Sequence, residues 1–196
     1  TRFHVNQDVL DPRPETELVV EKVLGLPSSK LSVLDLGTGT GCIAISIALE
    51  KIDFEVFASD ISLDALRVAK SNAKELGAKV NFIHSDWFAN IRNTFDVIVS
   101  NPPYICTNDL ISLSLAIQRF EPRLALAAGD LGLDCFREIA SKLNEHLNPG
   151  GVGIFEIGFN QMELIKALFA AYGFKKIDFF FDLERKERVV CVKKDA

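Results

Sequence analysis

The stretch Leu31-Ser-Val-Leu-Asp-Leu-Gly-Thr-Gly-Thr-Gly41, followed by the apolar run 42–50, decides the fold of this chain. Its first six residues are mostly apolar and predict a short buried strand. The glycine-rich residues 37–41 predict a tight turn, and the run 42–50 predicts a helix. A strand, a glycine turn and a helix in this order begin a βα unit.

The same alternation continues along the chain. Further strands are predicted at residues 54–60, 80–84, 95–100 and 152–157, and further helices at residues 63–76, 133–147 and 161–172. Near the end, residues 174–182 and 188–193 predict two strands joined by a charged turn, which indicates an antiparallel hairpin. Strands that alternate with helices are typical of an α/β doubly wound fold.

Two parts of the chain lack this alternation. Residues 105–130 show no clean period and predict a long functional loop, with a helical turn or two near residues 110–118. Residues 1–30 predict an N-terminal extension, a strand and a helix that begins at Pro14 and packs on the core. Residues 31–196 are predicted to form the main domain, because no linker divides them.

Composition excludes several classes of protein. The chain has 196 residues, of which 48% are hydrophobic, and its 22 basic and 27 acidic side chains give a net charge of −5. Mild acidity argues against a general nucleic-acid binder, and the apolar runs are too short to span a membrane. Four scattered cysteines without a C-x-x-C pair argue against disulfide and metal sites and favour a reduced, cytoplasmic protein.

The glycine turn lies where an open α/β sheet binds its ligand, at the carboxyl end of a strand. Glycine lets the backbone of Gly37, Thr38, Gly39, Thr40 and Gly41 approach a ligand closely. A dinucleotide fingerprint would need a third glycine where Cys42 stands, and the Gly-Lys-Ser/Thr of a P-loop is missing. The turn therefore does not predict a pyrophosphate site.

The ends of the next two predicted strands carry acceptors and an aromatic ring. Asp60 follows the second strand, where an acidic side chain accepts hydrogen bonds from ribose hydroxyls. Asp86 and Trp87 follow the third strand and are suited to an adenine amino group and ring. Adenosine without a pyrophosphate is consistent with all of these features, and S-adenosylmethionine is its commonest form.

The fourth predicted strand ends in Asn101, Pro102, Pro103 and Tyr104. Two prolines remove two backbone donors, which leaves carbonyls and the Asn101 amide oxygen as acceptors beside an aromatic ring. Such a pocket suits a planar NH2 group. Because the lone pair of an amide nitrogen is delocalised, a catalyst must hold both N–H groups and aim that nitrogen at an electrophile such as a sulfonium methyl.

These motifs, with several others, carry a resemblance to one family. The matching segments are Pro12-Arg-Pro-Glu-Thr-Glu17, residues 33–46, Ser85-Asp-Trp-Phe88, residues 95–105, Glu121-Pro-Arg123, Gly132-Leu-Asp134 and Phe155-Glu-Ile-Gly158. From about Phe3 to Val190 the chain closely resembles the HemK/PrmC family, the protein-(glutamine-N5) methyltransferases of peptide chain release factors. The segment 12–17 distinguishes this resemblance from other enzymes that share a glycine turn or an Asn-Pro-Pro-Tyr motif.

The resemblance implies a class I S-adenosylmethionine-dependent methyltransferase fold, Rossmann-like, with a seven-stranded, mostly parallel sheet in the order 3-2-1-4-5-7-6. It implies that residues 37–41 and Asp60 hold the cofactor and that Trp87 packs at its adenine. Asn101 would serve both ligands. Its oxygen and the Pro102 carbonyl would accept from the substrate amide, Pro103 would line the site, and Tyr104 would pack on the amide plane.

The substrate implied is the glutamine of a Gly-Gly-Gln tripeptide, and the product of the cofactor is S-adenosylhomocysteine. Arg13 and Glu15 would shape the edge of the cleft. The family has an N-terminal helical domain, so these residues are expected to form the catalytic domain. The protein is expected to act as a monomer on a release factor, without metal, membrane or direct nucleic-acid binding.

Two alternatives remain open at this point. One is a methyltransferase of exocyclic amino groups in DNA or RNA bases, against which the net charge of −5 counts. The other is a non-catalytic domain that binds S-adenosylmethionine, against which the intact Asn101 and Tyr104 count.

Overall fold

Seven strands form one sheet in the computed structural model, which describes residues 1–28 and 30–196 apart from the side chains of residues 116 and 120. Their bounds are β1 Ser32–Leu36, β2 Glu55–Asp60, β3 Asn81–His84, β4 Phe95–Ser100, β5 Leu147–Glu156, β6 Lys176–Phe181 and β7 Glu187–Lys193. The strand order is β3-β2-β1-β4-β5-β7-β6. Strands β1 to β5 pair in parallel, whereas β7 runs antiparallel to both of its neighbours. The predicted fold, strand order and C-terminal hairpin are confirmed.

Helices cover both faces of this sheet. Their bounds are α1 Glu17–Leu24, α2 Cys42–Glu50, α3 Leu63–Leu76, α4 Leu115–Phe120, α5 Asp134–His146 and α6 Met162–Ala171. Successive residues of β4 alternate between the two apolar cores. Val97 and Val99 join the core under α1 and α2, whereas Ile98 joins the core under α5 and α6. This alternation follows from the two-residue period of a strand.

The ends of α3 show why the sequence folds locally as predicted. The side chain of Ser62 accepts a hydrogen bond from the Ala65 N–H at 3.1 Å and caps the first turn. Gly77 ends the helix in the left-handed conformation, with φ at 72°. Both residues lie where the sequence predicts a start and a stop.

The strand predicted within residues 1–30 is wrong for the part of that segment that the structure describes. Residues 1–28 contain a 3-10 turn at Pro14–Thr16 and helix α1, without a strand. The backbone of His4 is paired instead with a side chain, since the Asn72 amide accepts from its N–H at 2.9 Å and donates to its carbonyl at 3.1 Å. Ser29 lies outside the described residues, and the domain division at residue 30 stays a prediction.

Strand β5 begins five residues before its predicted start. Leu147 pairs with Phe95, but the next pair joins Val152 to Val97, so the register shifts across Pro149-Gly-Gly151. Proline has no N–H to donate to the ladder, and a bulge accommodates it. The predicted turn is thus an irregularity inside a strand.

The long connection between β4 and α5 contains short helical pieces. Two 3-10 turns at Thr107–Ser112 and Arg123–Ala125 flank helix α4. The longest helix in the described residues, α3, has 14 residues, and none has the length and apolar character needed to cross a bilayer.

Candidate active site

The turn between β1 and α2 brings its backbone to the carboxyl end of the sheet. Gly37, Gly39 and Gly41 have positive φ values of 68°, 54° and 83°. A residue with a Cβ adopts this left-handed conformation at a cost, which accounts for glycine at all three positions. The Thr38 N–H donates to the Ser59 carbonyl at 2.9 Å and ties the turn to the neighbouring strand β2.

A cavity of about 250 Å³, here called the cofactor cavity, lies against this turn. The predicted cofactor-binding residues that line it are Gly37, Thr38, Gly39, Thr40, Asp60, Asp86, Trp87 and Asn101. Four separate strand ends supply these residues. Side chains that are spread over 65 positions of the sequence, from residue 37 to residue 101, therefore lie around one cavity.

Gly41 is the predicted cofactor residue that the structure does not place among the lining residues. A Cβ added to Gly41 would lie 2.8 Å from Ile45 Cδ1 and 3.2 Å from the Cβ of Ala69. The close packing of α2 against α3 is therefore a second reason for glycine at this position, besides its positive φ.

The Asp60 carboxylate is held in place by two backbone donors. Its Oδ2 accepts from the Gly39 N–H and its Oδ1 from the Ser62 N–H, each at 2.9 Å. Each carboxylate oxygen has a second lone pair, so both can still accept from a ligand hydroxyl. Burial raises the pKa of Asp60, and these hydrogen bonds oppose that rise.

A second carboxyl group, Asp35, lies beneath the turn. Its Oδ2 accepts from the Thr38 hydroxyl at 2.6 Å and from the Ala44 N–H at 3.3 Å. Burial, with a smaller contribution from the charge of Asp60, raises the pKa of Asp35 to about 7. Within the described part of the chain its Oδ1 is buried and has no hydrogen-bond partner. Near neutral pH this group is therefore only partly ionised.

Trp87 presents its ring to the cofactor cavity from a left-handed backbone conformation, with φ at 44°. The Ser85 hydroxyl donates to the Trp87 carbonyl at 2.8 Å and holds this turn. The ring lies over Gly37, where an added Cβ would be 3.9 Å from Cζ3. Asp86, next to it, is exposed to solvent and lines the same cavity.

A second cavity of about 220 Å³, here called the substrate cavity, lies on the other side of Asn101. It is lined by the four residues predicted to bind substrate, Asn101, Pro102, Pro103 and Tyr104. Asn101 and Pro103 line both cavities. The two cavities thus share a wall at the end of β4.

Buried polar side chains adjoin this wall, namely Thr16, which also lines the cofactor cavity, and Glu156, which lines neither cavity. The Asn101 Nδ2 donates to Thr16 Oγ1 at 3.2 Å, and the Thr16 hydroxyl donates to Glu156 Oε2 at 2.6 Å. The Tyr104 hydroxyl donates to Glu156 Oε1 at 3.2 Å. Burial and the Glu156 charge raise the pKa of Tyr104, so it remains a hydrogen-bond donor.

Ion pairs support the edge of the substrate cavity. Arg13 lines both cavities and pairs with Glu121, which lines the substrate cavity. Glu15 lies 3.3 Å from the Arg188 guanidinium, whose Nε donates to Asp182 at 2.9 Å. The predicted position of Arg13 and Glu15 at the edge of the cleft agrees with this arrangement.

The sequence reasoning missed the roles of Thr16 and Glu156. Both lie in motifs that carry the family resemblance, at residues 12–17 and 155–158. Glu156 directly follows the run Val152-Gly-Ile-Phe155 at the end of β5, and a carboxylate at that position is the signal that could have marked it.

The lining of the cofactor cavity fits an adenosine. Asp60 and Asp86 supply acceptors, and Trp87 supplies a flat ring. A Cβ added to Gly39 would meet open space in the part of the chain that the structure describes, so a ligand can lie directly on the backbone.

Comparisons with known proteins agree with this geometry. The family model described as "Methyltransferase small domain" matches residues 8–120. The release factor glutamine methyltransferase of Cereibacter sphaeroides is 42% identical over 197 residues, which cover 100% of this chain and 70% of that protein. That of Neisseria gonorrhoeae is 44% identical over 195 residues, with coverages of 98% and 71%.

A solved structure shows the same similarity. The release factor-specific protein-(glutamine-N5) methyltransferase of Alicyclobacillus acidocaldarius superposes with a TM-score of 0.57 at 30% identity. The match covers 99% of this chain and 100% of the solved chain.

Proposed function

The chain belongs to the family of release factor glutamine methyltransferases, and from this premise we propose that its two adjoining cavities bring a glutamine carboxamide to a methyl donor. The predicted activity, S-adenosylmethionine-dependent methylation of a glutamine side-chain nitrogen in a release factor, is confirmed by this membership. The assignment of each residue below is our proposal.

The observation that carries the proposal is the position of Asn101, which lines both cavities. One side chain can therefore touch the methyl donor on one side and the acceptor amide on the other. Because the distance between the reacting atoms governs the rate, a shared wall of this kind is suited to holding them in contact.

The substrate cavity offers acceptors to an incoming NH2 group. The Asn101 Oδ1 and the Pro102 carbonyl are proposed to accept the two N–H groups of the glutamine amide, with Tyr104 packed on its plane. Proline at positions 102 and 103 removes two backbone donors that would compete for these acceptors. Holding both N–H groups aims the nitrogen at the shared wall.

In the cofactor cavity, Asp60 is proposed to accept from ribose hydroxyls, Asp86 from the adenine amino group, and Trp87 to stack on the base. The residues of the turn 37–40 would lie along the ligand. S-adenosylmethionine, when bound, supplies a methyl group made electrophilic by a sulfonium. Mainly apolar walls exclude water, which favours loss of that positive charge during transfer.

The test uses the purified chain, S-adenosylmethionine labelled on its methyl group, and three acceptors. These are a bacterial release factor, its variant with glutamine of the Gly-Gly-Gln tripeptide changed to alanine, and a mixture of DNA and RNA. We expect label on the first acceptor only. Label on nucleic acid, or binding of S-adenosylhomocysteine without any transfer, would refute the proposed substrate.

A matched pair of variants tests the site. Asn101→Ala should lower kcat by about 10²- to 10³-fold, since it removes the acceptor that positions the amide. Asn144→Ala, at an exposed position on α5, should leave kcat within twofold of the wild type. Equal rates for the two variants would contradict the assignment of Asn101.

A further inference from the structure

The carboxylate of Glu156 lies behind the shared wall and touches neither cavity in the described structure. The parallel register pairs Ser100 of β4 with Phe155 of β5, so the next residues, Asn101 and Glu156, are neighbours at the sheet edge. Glu156 is 1% exposed and Thr16 is 5% exposed. Burying a carboxylate this completely costs free energy, so we expect Glu156 to have a structural or functional role.

The direction of each hydrogen bond follows from the chemistry of the donors. An ionised carboxylate can only accept hydrogen bonds. The Thr16 hydroxyl must therefore donate its single hydrogen bond to Glu156 Oε2, which lies 2.6 Å away. The Thr16 oxygen is then available only as an acceptor. Asn101 must consequently turn its NH2 group toward Thr16, at 3.2 Å, and its oxygen away from it.

These hydrogen bonds matter because an asparagine amide has two nearly isosteric orientations, and they select one of them for Asn101. In the flipped orientation Asn101 would present an NH2 group to the substrate amide, and two donors would face each other. Glu156 also accepts from the Tyr104 hydroxyl at 3.2 Å and so anchors the other end of the Asn-Pro-Pro-Tyr segment.

We propose that Glu156 and Thr16 are positioning residues for methyl transfer. Glu156 fixes the proton of Thr16, Thr16 fixes the amide orientation of Asn101, and the Asn101 oxygen therefore faces the carboxamide of the substrate. This inference rests on the role proposed above for Asn101.

The mechanism requires the ionised form of Glu156. Burial raises its pKa, and the nearby charge of Glu15 acts in the same direction, whereas the hydrogen bonds from Thr16 and Tyr104 and the charge of Arg188 oppose the rise. Burial raises the pKa of the nearby Cys42 thiol, and the charge of Glu156 adds to that rise.

When Glu156 takes up a proton, it can donate to Thr16, whose hydroxyl can then turn toward Asn101. The amide is no longer held in one orientation. Because the ionised form is the active one, kcat should rise with pH through the pKa of Glu156 and then level off.

The experiment compares Thr16→Val with Thr16→Ser. Valine keeps the shape of threonine and removes the hydroxyl, whereas serine keeps the hydroxyl. We expect Thr16→Val to lower kcat about 10- to 100-fold, the effect of losing one buried hydrogen bond at the reacting group. Thr16→Ser, which keeps the hydroxyl that donates to Glu156, should keep kcat within threefold of the wild type.

Two further measurements separate positioning from folding. In Glu156→Gln the acidic limb of the kcat profile should disappear, because the side chain no longer titrates. In protein labelled with ¹⁵N on asparagine, the side-chain amide signals of Asn101, assigned by their loss in Asn101→Asp, should shift in Thr16→Val and stay unchanged in Thr16→Ser.

Each of these measurements can refute the positioning role of Thr16 and Glu156. Wild-type kcat in Thr16→Val, an equal loss in Thr16→Ser, or an acidic limb that persists in Glu156→Gln would overturn the positioning role. If Thr16→Val does not fold, the serine variant and the pH profile of Glu156→Gln still decide. Full activity in Asn101→Ala would remove the proposed function itself, whereas loss there with wild-type kcat in Thr16→Val would remove this inference alone.

Discussion

Gly132 is the residue at which a single methyl group should disturb both stability and catalysis. Its φ is 68°, and a Cβ added there would lie 2.2 Å from the Tyr104 carbonyl oxygen and 2.7 Å from Gln161 Nε2. Gln161 Nε2 donates to that same carbonyl at 3.1 Å and to the Gly132 carbonyl at 3.4 Å. Gly132→Ala therefore pushes directly on the backbone of the substrate-binding segment.

Gly77→Ala is a control for the loss of stability expected in Gly132→Ala. Gly77→Ala has the same backbone problem, with φ at 72°, but its added Cβ meets open space in the described structure. A left-handed conformation costs an alanine about 1 kcal/mol. Overpacking at Gly132 adds about 1–3 kcal/mol, and the strained Gln161 hydrogen bond adds about 1 kcal/mol.

We therefore expect two distinct results. Gly77→Ala should lower Tm by about 2–4 °C and Gly132→Ala by about 6–20 °C, at about 2–4 °C per kcal/mol for a chain of this size. To reach an ordinary contact distance the Tyr104 carbonyl must retreat by about 1 Å, and a misplacement of that size can lower kcat about 100-fold.

Thermal unfolding followed by circular dichroism gives the first quantity, and transfer of labelled methyl to a release factor, below the Tm of both variants, gives the second. The same loss of Tm and the same kcat for the two variants would refute the reasoning, since the contacts with Tyr104 and Gln161 are what distinguish Gly132 from Gly77.

Three further predictions follow from single residues. Asp60→Asn leaves one acceptor oxygen in place of two, so either Gly39 or Ser62 loses its partner, and the Kd of S-adenosylhomocysteine measured by calorimetry should rise about 10- to 100-fold; an unchanged Kd would contradict the ribose assignment. Because burial raises the pKa of Asp35 to about 7 from an ordinary 3.8, the folded state keeps a proton that the unfolded chain releases, and stability falls as the pH rises between these values. Relative to Asp35→Asn, the wild type should lose roughly 4 kcal/mol between pH 4 and pH 8 in urea unfolding without cofactor; parallel pH curves for the two proteins would be the opposite result. Arg185 has φ at 61° in an exposed hairpin, and Arg185→Gly should raise the free energy of unfolding by about 0.5–1 kcal/mol, which a lower Tm would disprove.

Much of the site could be predicted because the fold is built from consecutive units. In a parallel sheet every strand ends at the same edge, so a residue that follows a strand in sequence is also near the ligand in space. Asp60, Trp87 and Asn101 each follow a predicted strand. Their proximity to one another could therefore be predicted without knowing any long-range contact. The order of the strands came from the family resemblance.

The residues that were missed depend on contacts that local patterns do not reveal. Thr16 and Glu156 are 140 positions apart and meet only when α1 and β5 are packed. The packing of Gly41 was not foreseen for a related reason, because its neighbour Ala69 belongs to the next helix. Periodicity states which face of an element is apolar, and it does not state which element covers that face.

The shared wall between the two cavities also has a pharmacological consequence. Leu10, Arg13, Asn101, Pro103 and Ala125 line both sides of it, so only a thin partition separates the two binding spaces. A bisubstrate inhibitor, in which a short tether joins a nucleoside to a primary carboxamide, could occupy both spaces at once. Tethering turns the second binding event into an intramolecular one, and the avidity of such a compound should exceed that of either fragment by about 10²–10⁴.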